Sequence, residues 1–312
     1  MKIEIIPYRP QFKESWDRLV EESHTGTFLH NRDYMEYHKA RFEDFSLMVY
    51  AGKKLLGILP ANKENNSLFS HQGLTYADLL LLPDIKMDGK REILQSLQEF
   101  LSGNSIDNWK IKSIPSFFHK IPDESLAYLY HQKGAILDKI SAFYYISPHN
   151  YRLNTNRKRN IKKMEKRGGI RLSYDQKYLK EYWKLSETNL AFNHSAKPVH
   201  SYEEMKYLME KFPRNIQLVS LLQKDRLLAG VVLFHINRRL HFQYINATIE
   251  EDMRNAIDLL NAKIIEEGIK QEKYISLGTA EKEGKPNEGL VYWKESFGAQ
   301  IFNQYFYDLQ IK

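Results

Sequence analysis

The order of helix and strand signals in this chain repeats after about residue 150, and this repeat constrains the fold more than any single motif. Read by hydrophobic periodicity, each half gives helix, helix, three strands, helix, strand, short helix and strand. The segments from Trp16 to Gly57 and from Trp183 to Gly230 bracket matching elements. A length of 312 residues is enough for two domains that each bury a core. The sequence therefore predicts an α/β (α+β) chain of two similar domains, 1–150 and 151–312.

The bulk composition is that of a globular protein and excludes several chemistries. Apolar residues make up 42% of the chain and charged residues 27%. There is no cysteine, so disulfides, thiol nucleophiles and cysteine-ligated zinc are excluded. The histidines show no metal-ligand spacing with a carboxylate, so no metal site is expected. No apolar run approaches about 18 residues and no signal pattern is present, so we expect a cytoplasmic protein without an integral membrane segment.

Positive charge is concentrated in one window, from Arg152 to Arg171. It holds nine basic residues against the single acid Glu165, a net charge of +8, whereas the whole chain carries +7. The window contains a predicted helix, Asn156 to Arg167, which Gly168 and Gly169 end. A local basic patch favours a local anionic partner, either a phosphate-bearing ligand or a nucleic acid. The alternative is a solvated helix whose charges only aid solubility.

Residues 274–298 place a short apolar strand, a glycine-rich polar loop and an amphipathic segment in direct succession. The loop follows the end of a predicted strand, and loops on a rigid scaffold often carry functional residues. Its candidates are Glu281 as a catalytic base and Asn287 as a substrate ligand, with Lys294 in the segment that follows. A carboxylate is an effective base only when burial or a neighbouring anion raises its pKa. The alternative is a solvated loop that leads into a core helix.

The strand from Leu240 to Ala247 carries a second group of candidates. Strict alternation predicts that His241, Gln243 and Ile245 share one face and that Tyr244 lies on the other. A histidine titrates near neutral pH, so His241 is a candidate general base. Tyr244 is a second catalytic candidate, and Gln243 a candidate substrate ligand. The alternative for His241 and Tyr244 is an ordinary place in the core.

Several short stretches resemble a known family. They are Thr27-Phe28-Leu29-His30, Ser70 to Tyr76, Asn160 to Lys163, Lys197 to Ser201 and Lys294-Glu295-Ser296-Phe297-Gly298. With the repeated element order, they are similar to the acetyltransferase-like branch of the FemAB-like group, which has tandem GNAT domains. The resemblance implies that each domain holds a mixed, mostly antiparallel sheet flanked by helices, and that the basic helix opens the second. It also implies an acyltransferase that moves an acyl group from an activated donor, acyl-CoA or acetyl-CoA, to an amine of a small molecule, a sugar or a cell-envelope precursor.

The resemblance also implies positions for the ligands. An acyl donor would lie where the fourth and fifth strands of the second domain separate, with its pyrophosphate at the start of the next helix. Arg254 and Asn255 are the cofactor-binding residues expected there, with Arg157 and Arg159 as further phosphate ligands. Lys294 would lie near the acceptor, where it binds substrate phosphate or orients an oxyanion. The residues expected to line a substrate cleft between the two halves are His71, Tyr76, Lys197 and His200.

One departure from the family pattern leaves the donor open. Glu250 to Asn255 has three acids and no glycine where acetyl-CoA-dependent GNAT enzymes carry a glycine-rich loop, and the acids would repel a pyrophosphate. Fem-type enzymes also lack these glycines and take their acyl group from aminoacyl-tRNA, so such a transferase, with tRNA as partner, is the alternative. A donor site in the first domain at Gly89-Lys90-Arg91 and a non-catalytic module that binds an anionic ligand also stay open. The sequence does not predict the oligomeric state.

Overall fold

The computed structural model describes residues 2–194, 198–248, 253–282 and 284–311. The chain forms two compact units: unit 1 comprises Met1–Ser141 and Asn303–Lys312, and unit 2 comprises Ala142–Phe302. These units differ from the predicted halves, 1–150 and 151–312, at both ends of unit 2. Each boundary falls inside a continuous strand, where hydrophobic periodicity gives no sign that the chain passes from one unit to the next.

The described residues form helices and strands in the predicted alternation. The helices are α1 (Lys13–Glu22), α2 (Arg32–Met35), α3 (Met87–Gly103), α4 (Ser125–Gln132), α5 (Thr155–Glu165), α6 (Leu179–His194), α7 (Tyr202–Lys211), α8 (Met253–Lys270) and α9 (Glu288–Glu295). The strands are β1 (Ile3–Pro7), β2 (Glu43–Asp44), β3 (Leu47–Ala51), β4 (Lys54–Leu59), β5 (Asn62–Glu64), β6 (Ser67–Phe69), β7 (Leu80–Leu81), β8 (Asn108–Lys112), β9 (Ile136–Ile146), β10 (Ile170–Ser173), β11 (Ile216–Gln223), β12 (Arg226–Ile236), β13 (Arg239–Ala247), β14 (Tyr274–Thr279), β15 (Glu281–Lys282), β16 (Lys285–Pro286) and β17 (Gln300–Gln310).

Unit 1 contains two groups of paired strands over one apolar core. One group has the order β1-β3-β4-β7 and is antiparallel. The other has the order β2-β5-β6-β8-β17, in which only β6 and β8 are parallel. The apolar stripe of α3, with Ile93 and Leu97 fully buried, packs into the same core as Trp109 of β8 and Leu309 of β17.

Unit 2 is built on one mixed sheet with helices on both faces. The strand order is β10-β11-β12-β13-β14-β9, and only β13 and β14 are parallel. Alternate residues of β12 face opposite ways. Val231 joins the core that includes Leu260 and Ile265 of α8. Gly230 faces α6, because a Cβ built on it would lie 2.4 Å from the Tyr182 ring.

The predicted mixed α/β fold and the predicted basic helix are confirmed, whereas one predicted helix is wrong. The basic helix is α5, and Asn154 caps it by accepting a hydrogen bond from the backbone N–H of Arg157. The sequence predicts that Asn31 caps a helix that carries Tyr34, Tyr37 and His38, but this helix does not continue that far. α2 ends at Met35, and a 3-10 segment follows in which His38 has a non-helical φ of −120°. The apolar spacing indicated a longer helix because it does not register a kink.

Candidate functional site

The candidate site begins at a gap between two neighbouring strands of unit 2. β13 and β14 run parallel for three residue pairs, of which His241 with Ser276 is the last. Beyond that pair, β13 continues alongside β12 to Ala247, while β14 continues alongside β9 to Thr279. Within the described residues 242–248 and 277–279, no ladder joins the facing edges of β13 and β14. The strands therefore separate at the position where the resemblance implied an acyl donor.

A β-bulge in β13 changes which side chains share a face. The register with β12 shifts at Gln243, which is an extra residue on β13. A bulge opposes two successive residues to one on the partner strand and so interrupts strict alternation. Tyr244 lies against Trp183 of α6, whereas Ile245 packs with the core around α8. The predicted alternation is therefore wrong beyond Gln243, and the Tyr244 side chain lies on the α6 face while Ile245 lies on the α8 face.

The bulged strand contributes to a cluster of polar side chains. His241 Nδ1 lies 3.0 Å from Ser276 Oγ, and His200 Nδ1 lies 2.5 Å from the Tyr244 hydroxyl. Gln243 hydrogen-bonds both His241 and Tyr244. Burial lowers the pKa of His241 to about 4 and raises the pKa of Tyr244 to about 12, so both are neutral at pH 7. The expectation that His241 titrates near neutral pH is therefore wrong.

Lys294 is a buried cation at the β14 side of the gap. Lys294 is only 2% exposed. Its ammonium donates hydrogen bonds to the carbonyl oxygens of Gly278, at 2.9 Å, and of Thr279. Burial lowers the pKa of Lys294 to about 7, so its protonated and neutral forms are both populated near pH 7. A Cβ built on Gly278 would lie 3.7 Å from the His241 ring. Lys294 and His241 therefore approach the same end of β14, and the Lys294 charge contributes to the low pKa of His241.

Two other candidates, in the loop between β14 and α9, make hydrogen bonds that hold this loop in place. Glu281 Oε1 accepts a hydrogen bond from the backbone N–H of Ala142 at 2.9 Å. Asn287 is the N-cap of α9, and its Oδ1 accepts from the backbone N–H of Leu290 at 3.2 Å. These bonds help to fix the start of α9, the helix that carries Lys294. Catalysis by Glu281 and substrate binding by Asn287 stay predictions.

The α8 face of the sheet borders a hollow of about 560 Å³. Its apolar lining from β13, α8 and α9 includes Ile245, Ile257, Leu290 and Trp293. Arg157 and Asp258 form a polar part of the wall, with Arg157 Nη1 2.5 Å from both carboxylate oxygens. Trp293 Nε1 also donates to Asp258, at 3.2 Å. This pairing occupies the Arg157 guanidinium, which was predicted to bind phosphate.

The other cations of α5 and its C-terminal end are exposed to solvent. They are Lys158, Arg159, Lys162, Lys163, Lys166 and Arg167, here called the α5 basic face. Arg157 is buried because it lies on the side of α5 that faces α8, and Arg159 is exposed because it lies two positions further round the helix. Of the two arginines predicted to bind phosphate, Arg159 is therefore the accessible one.

The remaining predicted residues lie in several places. Asn255 is buried in the first turn of α8. The side chain of Arg254 and the whole of Lys197 lie outside the described residues. His71 and Tyr76 are buried in unit 1, at 4% and 1% exposure. Their predicted roles in binding substrate stay predictions.

The structure gives little support to a donor site at the start of α3. The Lys90 ammonium lies 2.6 Å from Asp123, and Arg91 lies 2.6 Å from Asp88, so both cations are paired within unit 1. In the described parts of the chain, no group of three or more His, Asp or Glu side chains could hold a metal ion. Among those same residues, no helix has the length and apolar character needed to cross a membrane.

Three residues that shape the site were not among the predicted ones: Ser276, Asp258 and Trp293. Asp258 had a usable signal, because it interrupts the apolar stripe that includes Ile257 and Leu260 in the predicted helix. An acid on a buried helix face needs a partner, and Arg157 is that partner. Ser276 had no such signal, since a serine inside a strand is commonplace.

The fold is shared with several solved structures. No family model and no curated protein matches the sequence. The similarity to the crystal structure of FemX covers 98% of this chain and 97% of the FemX chain, with a TM-score of 0.68 and 10% sequence identity. L-PGS from Bacillus licheniformis matches 96% of this chain over 91% of its own, with a TM-score of 0.60 and 13% identity. The similarity to a tandem GNAT protein from the clavulanic acid biosynthesis pathway covers 100% of this chain and 99% of that protein, with a TM-score of 0.53 and 13% sequence identity. The chain therefore has the predicted tandem GNAT, FemAB-like fold.

Proposed function

We propose that this protein is an acyltransferase whose reaction takes place at the gap between β13 and β14. It moves an acyl group from an activated donor, in the first instance acyl-CoA, to an amine of a small molecule, a sugar or a cell-envelope precursor. The observation that carries this proposal is the buried Lys294 ammonium at the gap, with a pKa lowered to about 7. A group with a pKa near the working pH is suited to move protons in a transition state.

Lys294 is the first choice for the group that receives the amine proton. An ammonium has three N–H donors, and two of them are engaged by Gly278 and Thr279. When Lys294 loses a proton, it can keep both bonds and gain a lone pair. That lone pair accepts the proton as the amine nitrogen bonds to the acyl carbon. His241, with a pKa of about 4, is a weaker base, and its place beside Ser276 and Gln243 suits it to position the substrate.

Tyr244 is the first choice for the group that assists departure of the donor. With a pKa of about 12 it stays protonated at neutral pH, so its O–H can donate to the leaving atom as the acyl bond breaks. His200 Nδ1 lies 2.5 Å from that hydroxyl, so His200 can take up a proton from solvent and pass one to the Tyr244 oxygen. Gln243, at the bulge, bonds to Tyr244 and so fixes the direction of the hydroxyl.

The hollow on the α8 face is suited to the apolar arm of an acyl donor. Ligand sites are mostly apolar and concave with a few placed polar groups, as this one is. Because Asp258 neutralises Arg157, phosphate binding falls to exposed cations of the α5 basic face, of which Arg159 is the predicted one. A residue that fills the hollow should therefore block the donor without disturbing Lys294.

One observation favours a second donor, aminoacyl-tRNA. The α5 basic face exposes six cations in a run of ten residues, more than one pyrophosphate needs. Polyanion binding through such contacts weakens steeply as salt rises. Affinity for charged tRNA that falls at least tenfold between 50 and 200 mM salt would favour this donor over acyl-CoA, since a tRNA engaging several cations loses that much by counterion release.

The decisive experiment measures release of free CoA from acetyl-CoA by the full chain with a panel of primary amines. We expect amine-dependent turnover, and at least tenfold weaker acetyl-CoA binding in Leu290→Trp, which fills the hollow. Leu137→Trp, at an exposed position of unit 1, is the matched control and should bind as the unmodified chain does. Binding unaffected by Leu290→Trp would contradict the assignment of the hollow. Tight donor binding without turnover on any amine would favour a non-catalytic module.

A further inference from the structure

Unit 1 contains a second hollow, formed by residues remote in sequence from β13 and β14. Its lining includes Asp78, Leu79, Ser113, Ser116, His119 and Glu124. Its volume is about 50 Å³. One water needs about 10–15 Å³ on this measure, so the hollow admits a small headgroup and not a whole substrate.

Asp78 is the notable side chain of this hollow, because it is 6% exposed and carries an oxygen without a donor. Its Oδ1 accepts from the backbone N–H of Leu79, at 2.7 Å, and from the Tyr130 hydroxyl. Both bonds end on the same oxygen, so Oδ2 receives none from the described residues. Asp78 lines the hollow, and Oδ2 is the part of its carboxyl left to face it. A mostly buried carboxyl whose second oxygen receives no hydrogen bond from these residues is poorly stabilised as an anion, and a ligand with N–H groups would supply the missing bond.

The nearby basic side chains do not supply the missing positive charge. Lys90 is paired with Asp123 at 2.6 Å. His119 Nδ1 accepts from the backbone N–H of Asp123 at 3.3 Å, so its proton lies on Nε2, which is 3.0 Å from the carbonyl oxygen of Ile114. A histidine bonded in this way is neutral. Burial raises the pKa of Asp78 to about 7, as expected for a carboxyl that lacks a cationic partner.

We propose that this hollow binds a primary ammonium group at the end of a short apolar chain, with Asp78 Oδ2 as its main acceptor. Glu124 lies at the exposed mouth, where it accepts from Ser116 Oγ at 2.8 Å and adds a second negative charge. The apolar wall, including Ile114 and Leu126, contacts the stem of the ligand. A terminal alkylammonium fits a narrow hollow, whereas an amine on a sugar ring brings its ring to the mouth. This site goes beyond the acyl transfer proposed above and does not depend on it.

The test measures binding of n-butylamine, n-butanol and glucosamine to the full chain at pH 8 by saturation-transfer difference NMR. We expect n-butylamine to bind at least tenfold more tightly than n-butanol, since a charge-assisted hydrogen bond is worth that much. We also expect it to bind more tightly than glucosamine. Asp78→Asn should lose at least tenfold in affinity, because the amide can keep the bonds from Leu79 and Tyr130 while placing N–H groups where Oδ2 stood. Asp107→Asn, at an exposed aspartate of unit 1, is the matched control and should bind as the unmodified chain does.

Three results would overturn the assignment. Equal binding of n-butylamine and n-butanol would show that the hollow does not recognise the ammonium charge. This comparison needs no variant to fold. Retained affinity in a folded Asp78→Asn protein would show that Asp78 is not the acceptor of the ammonium group. Glucosamine that binds as tightly as n-butylamine would contradict a chain-terminal ammonium. None of these measurements involves turnover, so failure here and failure of the acyltransferase proposal are distinguishable.

Discussion

Replacing Lys294 with methionine should change how the stability of the protein depends on pH. Burial lowers the pKa of Lys294 from the ordinary 10.5 to about 7. Between these values the unfolded chain binds a proton at Lys294 that the folded chain lacks, so the free energy of unfolding rises with pH by about 1.4 kcal/mol per unit. Below the lower value both states are protonated, and the destabilisation is fully present. Over the whole interval it amounts to about 5 kcal/mol.

The measurement is urea denaturation at pH 7.5, 8.5 and 9.5, followed by tryptophan fluorescence. Lys294→Met removes the titrating group, so the unfolding free energy of the unmodified chain minus that of the variant should increase by about 3 kcal/mol from pH 7.5 to 9.5. Methionine also leaves the carbonyl oxygens of Gly278 and Thr279 without their donor. This loss changes the difference in unfolding free energy by the same amount at every pH, so it does not alter the dependence on pH. Lys53→Met, in the exposed turn between β3 and β4, controls for loss of a surface lysine. A difference that stays level with pH would refute the account of Lys294 as a buried group of lowered pKa.

Two further substitutions test the packing around the site. Arg157→Gln should destabilise the protein by about 3–5 kcal/mol in urea denaturation, because it leaves the buried Asp258 carboxylate uncompensated. Arg159→Gln, on the exposed side of the same helix, should stay within about 0.5 kcal/mol, and equal losses in the two variants would contradict the assignment of a buried pair. Gly230→Ala should cost about 1–3 kcal/mol, since its Cβ would lie 2.4 Å from the Tyr182 ring; an unchanged denaturation midpoint would show that α6 yields without cost.

Hydrophobic periodicity was sufficient to predict the element order, because both units bury regular apolar stripes. The cap signals were equally informative. Ser201-Tyr202-Glu203-Glu204 has the residue pattern of a capping box, and in the structure Ser201 caps α7, with its hydroxyl accepting from the backbone N–H of Glu204. The unit boundaries were not predictable in the same way. β9 and β17 each continue through a boundary, and nothing in their side-chain pattern distinguishes the part in unit 1 from the part in unit 2.

The site was predictable at the level of segments but not of individual roles. The strand with His241 and the segment with Lys294 were both selected from the sequence as carriers of candidate residues, and the structure places both beside the gap. However, sequence spacing assumes an unbroken ladder, so it could not show that the bulge at Gln243 brings the next side chain onto the α6 face. The pKa values of His241 and Lys294 were also beyond reach, because both are set by burial, which depends on contacts between residues far apart in the chain.

The discontinuity of unit 1 has a consequence for the order in which the protein folds. In the sheet of unit 1, β8 pairs with β17. In the sequence, the residues of unit 2 separate these two strands. During synthesis nearly all of unit 2 is made before β17, whereas β8, the strand with the buried Trp109, pairs only with β6 and keeps its β17-facing edge open until then. Such long-range pairing is slow to form and exposes apolar surface meanwhile. We therefore expect a chain truncated after Phe302 to contain a protease-resistant unit 2 and a protease-sensitive unit 1.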